Sequence, residues 1–526
     1  MNKLTFLCLI FILFETSIHA QPLKINWQKS YGGSDADYGI KIGKTHNGFI
    51  LFCTAYSNDG EVLGNHGSSD FWVVRIDTIG NIIWSKTYGG SYYDNLKQMK
   101  PTLDGGFVII GHTFSTDGDV QGNHGSSDYW VIKIDSLGDL KWQTCLGGSI
   151  QDFGEVIDLA PDSGFICNGW SASPDGDVTG NHGLYDSWVV KLDKNGLLKW
   201  EYSFGSSYPD YGLGIASTDD GGAILNCSAG IADGDVQCNY HGGDSDVWIV
   251  KLDSLGVIEW QHCYGGSQHD FGNLIIPLKD GGYLCAGNTT SSDGDVSGNH
   301  GSFDIWVFTI DHFGNLLNQK CFGGSDDDTP DFMKQLSDSN YIIGGYTKSN
   351  DGDVSGNHGQ MDIWVIKITP DLNLLWQQCF GGDDNEESFD MLDLGLGKYM
   401  LLGYTYTTDN SGDVQCHHWG ICDAWLLSLT DTTYIGINNQ LHSNNYLRVY
   451  PNPADQDVIF ELLDPQVSSG ARLSIFNDLG VFLAEFLFER TNDKYTWNTK
   501  ERVPGLYFYQ LSDKDRSERG KFLIKH

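Results

Sequence analysis

The chain has 526 residues and a formal net charge of −37, from 69 acidic against 32 basic residues. So acidic a surface repels phosphate, which sets aside nucleic acid and anionic membranes as partners. The acid is mostly Asp, set among 66 glycines, a composition of turns rather than of helices.

Residues 1–20 carry Lys3, then an apolar run from Leu4 to Phe14, then a short polar segment ending at Ala20. This is the pattern of a secretory signal peptide, with cleavage expected after Ala20. The run of about eleven residues is too short to cross a bilayer, and nothing later reaches the roughly 18 apolar residues of a membrane helix, so no transmembrane segment is expected. Gln21 rather than Cys follows the expected cleavage point, which argues against a lipid anchor there.

From residue 21 to 431 one pattern recurs seven times, most cleanly as SSDYWVIKIDSLGDLKWQTCLGGS from Ser126 to Ser149. Its anchors Trp72, Trp130, Trp188, Trp248, Trp306, Trp364 and Trp425 are spaced by 58, 58, 60, 58, 58 and 61 residues. That period exceeds the roughly 40–50 residues of common four-stranded propeller blades by what longer loops can absorb. In the third copy, alternation and β-branched enrichment predict strands A to D at Leu140–Leu146, Glu155–Ala160, Gly164–Trp170 and Ser187–Asp193. Asp-x-x-Gly, as in Asp135–Gly138, predicts a tight hairpin from D to the next A, and Asp-Gly-Gly, as in Asp104–Gly106, a reversal from B to C. No stretch has a helical period. The expected fold class is all-β: a seven-bladed β-propeller followed by a small Ig-like β-sandwich, with the blade phase left open.

The cysteines follow the repeat. Cys145, Cys263, Cys321 and Cys379 share one position in strand A, and Cys53, Cys167, Cys227 and Cys285 one in strand C. Equivalent positions in different blades lie too far apart to bond, so all eight read as small buried hydrophobes. Cys416 and Cys422, close together in the last unit, form a candidate pair.

Alternating strand directions place every A–B and C–D loop on one face. The metal candidates there are Asp94, Asp117, Asp119 and Asp128 in one unit, and Asp152, Asp175, Asp177 and Asp186 in the next. Several carboxylates and carbonyls at close range suit Ca²⁺, the one candidate cofactor. The competing reading has each Asp accepting N–H groups of its own Gly-rich turn. The GNHG histidines, such as His124 and His182, take the same two readings. The Trp series is expected to be core. No nucleophile elbow, phosphate loop, zinc motif or distinctive carboxylate pair is present, so no catalytic residue is assigned. The departures from the repeat that stand out are Cys238 and Tyr240 in the fourth C–D loop, and Cys416 to Trp419 in the seventh.

Residues 432–446 are polar, Asn-rich and aperiodic, as a linker should be. Seven strand-like runs then fill 447–526. This tail resembles the C-terminal sorting domain of type IX secretion substrates, the type A tail. The resemblance rests on YPNPA (Tyr450, Pro451, Asn452, Pro453), LSIFNDLG ending at Gly480, PGLYFYQL (Gly505, Leu506, Tyr507) and the terminal GKFLIKH (Gly520, Lys521). It implies export by the signal peptide, recognition by the type IX machinery, and release or attachment at the outer cell surface. The repeats resemble those of large exported proteins with the same tail. The expected role is a binding, adhesion or structural module with a glycan or surface-protein ligand. The alternative is an extracellular glycan-active hydrolase.

Overall fold

The computed structural model describes residues 21–526 except 279–280, 409, 418, 434–446, 452–453, 455, 464–470, 478–481, 489–493, 501, 514–515 and 526. The expected signal peptide, most of the linker and the sorting-motif residues Asn452, Pro453 and Gly480 lie outside the described residues. The chain divides into two compact units, 1–433 and 434–526.

The first unit holds seven four-stranded antiparallel sheets, with no helix among the described residues. Blade 1 consists of Asp37–Thr45, Gly48–Ala55, Asp70–Ile76 and Ile82–Tyr88 in spatial order. The first strands of successive blades lie side by side around the axis. They are Asp37–Thr45, Asp94–Pro101, Asp152–Leu159, Tyr211–Ser217, Asp270–Pro277, Asp328–Gln335 and Glu386–Gly395.

This fixes the blade phase. Each blade runs B, C, D and then the A strand of the next sequence unit, so blade and sequence repeat are offset by one strand. The offset leaves the first A strand, Leu23–Tyr31, without a blade of its own. It pairs antiparallel with Asp423–Asp431, from Leu23 opposite Asp431 to Tyr31 opposite Ala424. Unpaired, residues 423–431 would present a bare strand edge; pairing the two chain ends covers it.

The anchor tryptophans sit on the third strands, all 0% exposed. Each buries about 150–250 Å², about 4–6 kcal/mol at about 25 cal/mol per Å². Each indole is satisfied on the outer strand, as when Trp130 Nε1–H donates to Gln143 Oε1 at 3.0 Å. The D–A hairpins close as their sequence predicts. Gly80 takes φ 83°, and Asp77 Oδ1 accepts from the N–H groups of Ile79 and Asn81 at 2.9 and 2.8 Å.

One cysteine expectation is corrected. Cys263 on an outer strand is bonded to Cys238 of the fourth C–D loop, the one disulfide among the described residues. The pairing is possible because the partner is a loop cysteine of the same blade, not an equivalent cysteine of another. Cys422 is buried and makes no disulfide. Cys416 occupies the place of Cys238, but the closing strand carries Ser30, paired with Trp425 as Cys263 is with Trp248.

In the second unit, Leu447–Tyr450, Asp457–Leu462 and Lys494–Asn498 form one sheet. Phe482–Leu487, Arg472–Phe476, Gly505–Asp513 and Arg516–Ile524 form the other. Phe460, Leu473, Ile475, Tyr509 and Phe522 fill the core. Pro451 follows a cis peptide bond. Leu506 belongs to the strand Gly505–Asp513. Tyr507 is buried against Phe522 and donates to the Val503 carbonyl at 2.7 Å. Gly520 lies against the Tyr509 ring where a Cβ would collide, and Lys521 is exposed.

Candidate functional site

The predicted acidic loops assemble at blade junctions rather than within one sequence unit. Asp94 of blade 2 meets Asp70 of blade 1 across Gly89, whose Cβ, if present, would lie 2.6 Å from one carboxylate and 2.5 Å from the other. Asp128 with Asp152 across Gly147, and Asp186 with Asp210 across Gly205, repeat the arrangement. Only a glycine lets two carboxylates lie against one Cα.

The donors are local. Asp94 accepts from Gly90 N–H at 2.7 Å and Ser115 Oγ at 2.9 Å, and from the Thr113 hydroxyl. Asp152 accepts from Gly148 N–H at 2.7 Å and Ser173 Oγ at 2.8 Å. Asp117 and Asp175 accept from Ser91 and Ser149 N–H at 2.7 and 2.8 Å, while Asp119 and Asp177 hold longer bonds from Gly89 and Gly147 N–H. Asp128 takes the N–H and Nδ1 of His124, and Asp186 those of His182. The Oδ1 atoms of Asp70, Asp128, Asp186, Asp246, Asp304 and Asp362 are buried with no hydrogen-bond partner among the described residues. Among those residues, no group of three or more His, Cys, Asp or Glu is placed as a metal site. Burial pushes the carboxyls of Asp37, Asp94, Asp128 and Asp328 up to about 6 and that of Asp210 to about 7.

The blade-specific chemistry lies elsewhere, on the inner strands. Every inner strand carries a β-bulge at the same place, and the extra residues are Ile40, Lys97, Glu155, Leu213, Asn273, Asp331 and Phe389. A bulge re-aims one side chain. All seven line a single cavity of about 420 Å³ on the axis, at the end where the acidic loops emerge. A second cavity of about 410 Å³ continues along the channel past Lys100, Lys334 and Asp390.

A chain of ring contacts runs from blade 7 through blades 1, 2 and 3 to blade 4, and its members Phe389, Tyr404, Tyr38 and Tyr56 line the first cavity. It starts with Phe389 to Tyr404 at 5.8 Å and Tyr404 to Tyr38 at 5.0 Å. Tyr56, Tyr93 and Phe114 carry it onward to Phe153. Phe153 stacks on Trp170 at 4.2 Å, and Tyr211 ends the arc at 5.9 Å. The facing arc adds two polar side chains to the cavity lining, Asn273 and Asp331. His112 packs on Phe153 at 4.2 Å, and burial holds it neutral, well below the usual histidine range. Burial likewise raises Asp331, with Glu387 adding to the effect, and lowers Lys41.

These seven positions are invisible to a repeat pattern because they are where the copies do not repeat. The signal was the opposite: three residues after each repeated acid, in Asp37, Asp94 and so on, the residue type changes in every copy.

Fold and site together define an all-β propeller protein with a non-repeating axial cavity, followed in the chain by a small β unit. Residues 448–525 match the family described as the secretion system C-terminal sorting domain. The chain therefore carries a type IX secretion sorting tail and is a protein of the cell exterior, secreted or attached to the outer cell surface. No curated protein matches the chain. Among solved structures, the WD40 domain of Neurospora crassa Pan2 is similar over 78% of this chain and 96% of its own, at 10% identity and a TM-score of 0.41. The extracellular domain of the putative one component system BT4673 from B. thetaiotaomicron is similar over 96% of this chain and 68% of its own, at 12% identity and a TM-score of 0.32.

Proposed function

We propose that this is a binding or adhesion module displayed outside the cell, whose ligand is a glycan docking at the aromatic mouth of the channel. The observation that carries this reading is the break in symmetry at the axis. Where the frame needs a residue, the seven copies agree; at the bulge they differ, and all seven differences face one cavity. Flat apolar ring faces beside a few polar groups are what a sugar ring, apolar on its C–H face and hydroxylated at its edge, requires. Glycan-array screening of the Gln21–His526 protein tests it. Binding should fall at least about tenfold, near 1.4 kcal/mol, in Tyr38→Ala and Trp170→Ala, and be unaffected by changes on the outer strands such as Lys141→Ala. Equal binding by all three variants would place the ligand elsewhere.

Calcium at the blade junctions is a second reading, favoured by the carboxylate pairs in which one member, such as Asp70 or Asp128, has a buried Oδ1 with no donor among the described residues. An ion bound only by the folded state raises its stability. A rise in Tm with millimolar Ca²⁺ that EGTA reverses would support it; no change would leave those residues as turn architecture.

A further inference from the structure

We propose that the channel mouth recognises an amine-bearing saccharide, holding its ammonium group between the Asp331 and Glu387 carboxylates and the rings of Phe389, Tyr404 and Tyr38. The inference rests on the reading of this cavity as the glycan site and names the chemistry that the site selects.

The charges of the inner strands are unevenly paired. Three lysines of the inner strands are each committed to a carboxylate of the next blade: Lys97 to Glu155 at 3.0 Å, Lys100 to Asp158 at 2.9 Å and Lys334 to Asp390 at 2.6 Å. Lys41 donates instead to the backbone carbonyl of Phe389 at 2.6 Å. Asp331 and Glu387, on neighbouring inner strands, belong to no ion pair among the described residues. The Tyr404 hydroxyl donates to Glu387. Asp331 has less: its Oδ2 lies against the Cα of Gly345 and has no hydrogen-bond partner among the described residues. Lys41 and Lys97 act on Asp331 and Glu387 only from beyond ion-pair distance; two recessed carboxylates with no cation in contact among the described residues are a costly arrangement for a fold to keep, and a cationic ligand supplies that contact.

The surroundings suit an ammonium group rather than a metal ion. Phe389, Tyr404 and Asp331 line the same cavity, and the rings of Phe389 and Tyr38 flank Tyr404 at 5.8 and 5.0 Å. Aromatic faces attract an organic cation through the ring quadrupole and pack its apolar neighbours, whereas Ca²⁺ needs six or more oxygens. The exposed loops extend the polarity. At one equivalent position, blades 2, 3 and 4 present Tyr92, Ile150 and Tyr208, while blades 6 and 1 present Asp326 and Asp35. Blades 7 and 1 thus carry rings and acid together, which suits a ligand that joins a sugar face to a positive charge, and the net charge of −37 draws a cation towards it.

The test compares a glucosamine tetrasaccharide with its fully N-acetylated form by calorimetric titration of the Gln21–His526 protein at pH 6.5, in low and high salt. The amine form is expected to bind at least about tenfold more tightly, with the advantage shrinking in high salt. Asp331→Asn and Glu387→Gln should erase the advantage and leave the N-acetyl form's affinity unchanged; thermal unfolding shows whether each variant is folded. Equal affinity for the two sugars in wild type would overturn the amine inference and leave the glycan reading standing. Binding of neither would remove both. Tighter binding of a lysine-rich peptide, abolished by Asp331→Asn, would overturn the saccharide assignment.

Discussion

The Nε1–H of Trp425 donates to Oε1 of Gln28 at 3.1 Å, joining residues 397 positions apart. In the other six blades the same bond spans 13 residues, from Trp72 to Ser85 or Trp130 to Gln143, because the outer strand follows directly in sequence. Only in blade 7 does the outer strand come from the other end of the unit.

Closure is therefore testable at one side chain. Gln28→Leu removes the acceptor of the Trp425 indole and of the Gln415 N–H. Leaving a buried donor unmet costs about 1–3 kcal/mol, so the urea midpoint should fall accordingly. Deleting Leu23–Tyr31 exposes the edge at Asp423–Asp431, and the expected product aggregates. A soluble, cooperatively unfolding deletion variant would show that the ring does not depend on this strand.

The glycine between each carboxylate pair should tolerate no side chain. Gly89→Ala places a Cβ within 2.6 Å of both Asp70 and Asp94, an overpacking expected to cost about 1–3 kcal/mol. Chemical denaturation measures it, and an unchanged midpoint would mean that the two carboxylates move apart freely.

The Cys238–Cys263 bond closes a span of 25 residues, for which chain-entropy arguments give about 3 kcal/mol. Reductant should lower the Tm of the wild type and leave that of Cys238→Ser unmoved. Cys145→Ser, at the position of Cys263 in blade 2, has no disulfide to lose. Equal response to reductant in wild type and Cys238→Ser would rule the bond out.

The blade-junction carboxyls give the propeller a distinctive pH response. Burial raises Asp37, Asp94, Asp128 and Asp328 to about 6 and Asp210 to about 7, above the roughly 3.9 of an unfolded Asp. The folded state thus binds these protons more tightly. Their contribution is full below about pH 4 and disappears as pH rises through about 6 to 7. Asp104 and Asp220, held near 2 by hydrogen bonds and by Lys133 and Lys251, act oppositely, but only in acid. Tm should fall between pH 5 and pH 8; a Tm that holds or rises over that range would contradict the assignment.

Removing Leu447–His526 should leave the propeller inside the outer membrane, detected by fractionation, since the sorting match lies wholly within those residues. Normal appearance at the cell surface would show that another signal exports it.

The repeat count, the four-strand unit and the turn chemistry are local properties, and local residues encode them: Asp-x-x-Gly makes a hairpin wherever it stands, and a Trp every 58 to 61 residues marks each blade. The tail's family could also be read from YPNPA and GKFLIKH. What the order of residues left open was decided by contacts between distant ones. The one-strand offset of the blades follows from the energetic need to pair Leu23–Tyr31 with Asp423–Asp431. Cys263 finds Cys238 because an outer strand and a C–D loop meet within one sheet. The acidic residues group across junctions, Asp70 with Asp94, and not within a sequence unit. Asp331 and Phe389 meet on the axis because closing a ring of seven sheets brings every inner-strand bulge to a common centre.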